Sequence, residues 1–220
     1  MDSELVQIIY DDCQRKETFA FAKIYFNETL TVFFENAPIA ELVSSTNAEK
    51  IAVCSWKLRQ KLKFYIGKHR QLTPDILNSD YEVLSFTKNS KYHQMLNAAE
   101  KWHSGFKSTF GKICECIGAN VPSEVKIPIY QNHFSAKTHI YKEYVAKYLI
   151  PAMHCMTNDA ELNKLIMMDS NYSTLDRSKP EKLEELKKKI GVNYYPMAPF
   201  LLERLFSVFV QNNKIPVSWL

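Results

Sequence analysis

Short β-prone runs alternate along the chain with segments of helical periodicity. LVQIIY (5–10), KIAVCSW (50–56) and DYEVLSF (80–86) are apolar runs of strand length bounded by polar residues, and VKIPIYQNHF (125–134) is extended in the same way. In NETLTVFFENAPIAELVSST (27–46) helical spacing is interrupted at Pro38, which predicts two short helices. Thr73 and Pro74 in LTPDILNS are a cap and a first helical residue. From Lys91 to Ile117 the pattern is helical, with Phe106, Phe110, Ile113, Cys114 and Ile117 on one face and Gly118 as its stop. KTHIYKEYVAKYLIPAM follows as a helix, and Pro180 opens another, EKLEELKKKI, that ends at Gly191. This alternation predicts a single α/β domain over residues 1–220. Its mostly parallel central sheet would hold LVQIIY, KIAVCSW, DYEVLSF and VKIPIYQ between flanking helices.

PFLLERLFSVFVQNN (199–213) stands out within this pattern. Eight apolar residues between Phe200 and Val210 would bury most of a helix surface, leaving a narrow stripe of Glu203, Arg204, Ser207 and Gln211. That stripe is expected to face either water or a pocket.

Composition adds limits. A hydrophobic content of 46% supports a sizeable core, which argues against disorder over most of the chain. The net charge of +4 is mild and the lysines are scattered outside KLEELKKKI, which speaks against a nucleic-acid partner without eliminating one. Five cysteines, an odd set without CxxC spacing, predict a reduced, cytoplasmic chain. MDSELVQIIYDD carries acids where a secretory signal carries bases, and no apolar run approaches the roughly 18 residues of a membrane span.

With five glycines in all, neither GxGxxG nor a Walker sequence is present, and HExxH, GxSxG and zinc-spaced Cys/His clusters are missing too. Three smaller constellations carry chemistry. Asp11 and Asp12 follow the first strand, where an α/β sheet binds its ligand, and their oxygens suit a divalent metal on a diphosphate; they also read as solvated loop acids. Trp56, Lys57, Arg59 and Lys61 follow the second strand and combine a stacking surface with cations for a phosphate or sugar, or form an ordinary basic surface helix. Asn132, His133 and Phe134 end the extended run, where short polar groups can enter a cleft, although a lone histidine is often structural. Glu203 acts as a general base only if burial or a basic neighbour tunes it.

Residues 132–153 and the LLERLF helix, with IAVCSW more faintly, resemble a bacterial glycosyltransferase-like family met beside capsule and exopolysaccharide genes. In that family an Asn- and Phe-containing strand leads into a similar helix, and a later helix carries Glu-Arg-Leu-Phe. The resemblance covers about half of the chain and implies a GT-A-like fold and transfer of a sugar from a nucleotide-diphosphate donor to a saccharide-like acceptor. It implies Glu203, Arg204 and His133 as catalytic groups, and Asp11, Trp56, Arg59, Asp80 and Asn132 as substrate contacts. It also implies a Mn2+ or Mg2+ ion at Asp12. The chain departs from the pattern in having no Asp-x-Asp after a strand; NSDYEVL offers only Asp80-x-Glu82. That departure keeps open a non-catalytic scaffold or carbohydrate-binding relative, and the positive charge with the aromatic-basic stretch WKLRQKLKFYIGKHR keeps open a transferase acting on modified DNA bases.

Overall fold

The apolar runs converge on one six-stranded sheet in the order β2-β1-β3-β5-β4-β6. Its strands are β1 (Ser3–Ile9), β2 (Lys23–Phe26), β3 (Lys50–Ser55), β4 (Val83–Ser85), β5 (Phe134–Lys137) and β6 (Val217–Trp219). The structure is a computed structural model that describes residues 2–66, 71–87, 94–172 and 179–220. β1 pairs in parallel with β2 and β3, and β4 with β6, whereas β5 runs antiparallel to both β3 and β4. The sheet is therefore mixed, where the strand and helix alternation predicts a mostly parallel one. Periodicity carries no direction, and the reversal of β5 follows from the path by which the chain enters it. VKIPIYQ also lies outside the sheet, because β5 begins only at Phe134. β2 and β6, which the sequence reading does not single out, are short strands on the two edges.

Helices cover both faces. The larger core joins one face to α1 (Asn36–Ser45), α4 (Met95–Trp102), α5 (Phe106–Cys116), α6 (Thr138–Tyr144), α7 (Ile150–Asn158), α8 (Ala160–Ile166) and α10 (Ala198–Asn212). A smaller core, with Leu58, Leu62 and Leu77, joins the other face to α2 (Leu58–Ile66) and α3 (Pro74–Asn78). Because β1 and β3 are covered twice, both read as nearly continuous apolar runs rather than alternating ones.

Local chemistry explains most boundaries. Thr73 caps α3 with Oγ1 accepting from the Ile76 amide at 3.4 Å, and Pro74 takes the first turn. The region 27–46 gives one helix, not two, since Pro38 falls in the first turn of α1, where it is tolerated. The helical stretch ending at Ile117 divides into α4 and α5 at Gly105, whose φ of 82° suits glycine. Its start at Lys91, like the GKHR end of the basic stretch, lies outside the described residues. A π turn over Val145–Leu149 links α6 to α7 just before Pro151, which has no N–H to continue the regular ladder. Pro180 opens α9 (Pro180–Ile190), and Gly191 closes it at φ 84°.

Cys116 and Cys155 form a disulfide between the ends of α5 and α7, while Cys13, Cys54 and Cys114 are free. This corrects the expectation of a wholly reduced chain. The packing of two helices brings the pair together across a separation of 39 residues, which spacing alone does not reveal. Among the described residues no helix is long and apolar enough to cross a membrane.

Candidate functional site

The chain runs from β1 to β2 on one side and then returns to place β3 on the other side of β1. That reversal sets the carboxyl ends of β1 and β3 side by side, the position at which α/β sheets commonly bind ligands. The two ends are tied together, since the Trp56 amide donates to Ile8 O at 2.9 Å. Buried Gln7 fastens the intervening loop, accepting from the Phe19 amide at 2.7 Å and donating to Ser55 O at 3.3 Å.

Asp11 and Asp12 follow β1 at this end of the sheet, both exposed. Asp11 caps a 3-10 turn over Asp12–Glu17, its Oδ1 accepting from the Cys13 amide at 2.8 Å. This hydrogen bond holds its carboxyl below the usual range. Asp12 is paired with Arg15, Nε to Oδ1 at 2.7 Å. The turn rests on α2 through Gln60, whose amide reaches Glu17 at 3.2 Å. After β3, Trp56 is half-buried with the Lys57 ammonium 5.1 Å from its ring centre, and Arg59 is exposed on α2.

These residues fit a Mn2+ or Mg2+ centre poorly. Asp12 is already engaged by a cation, Asp11 spends one oxygen on backbone, and the end of β3 carries Ser55, Trp56 and Lys57 instead of carboxylates. Among the described residues no three His, Cys, Asp or Glu side chains converge.

Asn132 and His133 join the same end of the sheet because β5 is antiparallel to its neighbours. Gln131 and Asn132 both take left-handed backbone, at φ 60° and 54°, which turns the chain sharply into β5. Asn132 is buried and donates through Nδ2 to Asn36 Oδ1 at 3.2 Å, while its carbonyl accepts from Cys54 Sγ at 3.3 Å. His133 is buried and both ring nitrogens lack hydrogen-bond partners. Burial, aided by the Lys61 charge, pushes its pKa down to about 3. It is a neutral ring at physiological pH rather than an exposed base.

The stripe on α10 faces neither open water nor an empty pocket along its length. Gln211 Oε1 accepts from the Lys126 amide at 2.6 Å and Nε2 donates to Glu124 O at 2.7 Å. Fully buried Ser207 accepts from the Ile129 amide at 2.8 Å and donates back to its carbonyl at 3.2 Å. These two residues supply to the extended segment the hydrogen bonds a neighbouring strand would have supplied. One turn further on, Glu203 and Arg204 lie beside the end of that segment, where it turns toward Asn132.

Arg204 is 12% exposed and Glu203 20%, with Nη1 and Oε2 3.6 Å apart. Nη1 also donates to Phe200 O at 2.5 Å, and the guanidinium lies 5.1 Å from the Phe106 ring centre. Its buried Nε has no hydrogen-bond partner. Burial lowers the Arg204 pKa against the opposing pull of Glu203. His103, which the sequence reading passes over, stacks on Phe200 with centroids 4.4 Å apart, and its Nδ1 meets Ser170 O at 2.6 Å. Burial depresses its pKa, and the Arg204 charge adds to that. No local pattern marks His103, because its partners come from α10 and the loop near Ser170.

Asp80 does not join this group. It precedes β4 at the opposite end of the sheet, where it lines an open cleft of about 470 Å³ with Tyr81, Trp219 and Leu220. A second cleft, of about 480 Å³, adjoins Glu4, Lys23 and Thr46 at the amino end of β1. Neither is lined by Asp11, Trp56 or Asn132.

No family model matches this sequence, and the comparisons with curated proteins and with solved structures return no match either.

Proposed function

We propose that this protein is a GT-A-like glycosyltransferase that moves a sugar from a nucleotide-diphosphate donor to a saccharide-like acceptor. The observation that carries the reading is the reversal of strand order at β1 and β3, with Asp11 just after β1 and Trp56 and Lys57 just after β3. Trp56 offers the donor a stacking face, Lys57 and Arg59 offset diphosphate charge, and Asp11 accepts from donor hydroxyls. Glu203, half-buried beside Arg204, takes the proton of the attacking acceptor hydroxyl as that oxygen bonds to the anomeric carbon, and the nucleoside diphosphate departs. Arg204 orients that carboxylate. His133, held neutral and buried, shapes the wall behind Asn132.

The test is a thermal-shift screen of nucleoside diphosphates and their sugars, with a transfer assay on the best donor. A true ligand at about 100 times its dissociation constant adds about 2.7 kcal/mol, a rise of roughly 5–10 °C for a chain of this size. Glu203→Gln should then reduce transfer at least 100-fold with a change of only a few degrees in melting temperature. No shift with any nucleotide removes the donor assignment, and full transfer by the variant removes the base. A scaffold or carbohydrate-binding relative is the second reading, favoured because Ser55, Trp56 and Lys57 replace carboxylates after β3. It predicts saccharide binding without nucleotide binding.

A further inference from the structure

At the amino end of the sheet, β1, β2 and the close of α1 leave an open cleft of about 480 Å³, within the range of roughly 300–1,000 Å³ for small-ligand pockets. Strand alternation sends Asp2 and Glu4 to the face that carries Val6 and the larger core, and the end of α1 brings Leu42 and Thr46 over the same face. Phe21, just ahead of β2, forms a further wall. It is 38% exposed, yet its ring rests against Phe19 with centroids 5.2 Å apart, and Phe19 is packed on the smaller core. A flat apolar surface is thereby held in place and left open to the cleft.

The charges of the cleft are largely committed to one another. Glu4 Oε1 pairs with Lys23 Nζ at 2.7 Å and Oε2 accepts from Thr46 Oγ1 at 2.9 Å, while Lys142 Nζ donates to Thr46 O at 2.9 Å. A phosphate entering here would meet the carboxylates of Asp2 and Glu4. Among the described residues no three His, Cys, Asp or Glu side chains converge to hold a metal ion. Asp2 and Asn47 remain exposed toward solvent, and the backbone of Asp2 is fastened by the Glu49 amide, which donates to its carbonyl at 2.9 Å. A carboxylate acceptor, a side-chain amide and an apolar ring suit a neutral sugar, whose hydroxyls both donate and accept and whose C–H face is apolar.

We propose that this cleft is a saccharide-binding site in which a neutral sugar ring lies on Phe21 and hydrogen-bonds to Asp2 and Asn47. It stands about 20 Å along β1 from the loop that carries Asp11, so a sugar held here is not the one presented for reaction. The site tethers a glycan at a distance from the carboxyl ends of the strands, and it stands whether or not the protein transfers sugars. Because the ligand is neutral, its affinity changes little as salt rises.

The experiment is calorimetric titration of the purified chain, without nucleotide, with maltotriose, cellotriose and chitotriose, and with spermidine as a cationic probe. The expected result is millimolar or tighter binding of at least one trisaccharide, unchanged between low and high salt. For that trisaccharide Phe21→Ala should bind at least tenfold more weakly, and Asp2→Ala severalfold more weakly, each with a melting temperature within a few degrees of the wild type because both side chains are exposed. Absence of binding by all three trisaccharides at tens of millimolar overturns the inference. So does full affinity in both folded variants, and so does binding of spermidine in place of every trisaccharide. The transferase reading is tested by nucleotides and this site by glycans alone, so the failure of one is told apart from the failure of the other.

Discussion

His133 illustrates how a single side chain changes meaning on folding. In sequence it is a polar group at the end of an extended run and a natural candidate for acid–base chemistry. In the fold it is enclosed, without hydrogen-bond partners, and its pKa falls from the ordinary 6.5 to about 3. Below pH 6.5 the unfolded chain takes up a proton that the folded chain refuses, so stability is complete above that value and declines as pH falls toward about 3. The slope is about 1.4 kcal/mol per pH unit, hence about 2 kcal/mol lost by pH 5. His103 is depressed in the same direction and adds to the decline. Urea unfolding of His133→Leu at pH 7 and pH 5 should show a smaller loss than the wild type. An identical loss in both proteins would mean that His133 is solvated or paired in solution. The Glu203–Arg204 pair is also partly enclosed, which is why charge removal at Glu203 separates catalysis from folding only when melting is measured alongside transfer.

The elements divide into those that local chemistry specifies and those that need a partner. α3, α9 and α10 lie where their prolines, caps and periodicity place them. Among the described residues no strand lies beside the extended segment before β5, and α10 takes over that role through Ser207 and Gln211. Ser207→Ala would strand the buried amide and carbonyl of Ile129, at a cost of about 1–3 kcal/mol. Gln211→Ala, at the exposed end of the same contact, should cost less. Denaturant midpoints decide the matter: equal, negligible effects from both would show that the segment does not depend on the helix. The polar stripe of α10 is thus legible from its 3.6-residue period, but the partner of Ser207 is 78 residues away in sequence and leaves no mark on that period.

Across the molecule, one sheet separates a large core from a small one, and the disulfide between α5 and α7 braces the larger side. Closing a loop of 39 residues restricts the unfolded chain by about 2–4 kcal/mol. Reduction with dithiothreitol, or Cys116→Ser, should therefore lower the melting temperature by roughly 5–10 °C. A melting curve indifferent to reductant would show that the bond contributes nothing in solution. The apolar runs, the helix signals at Thr73, Pro74, Pro180 and Gly191, and the acids after LVQIIY are all local, so an α/β chain with acids following its first strand can be read without coordinates. The reversed direction of β5, the choice of Cys116 and Cys155 from five cysteines and the separation of Asp80 from Asp11 cannot. Periodicity states which face an element buries. What stands opposite that face depends on the path of the whole chain.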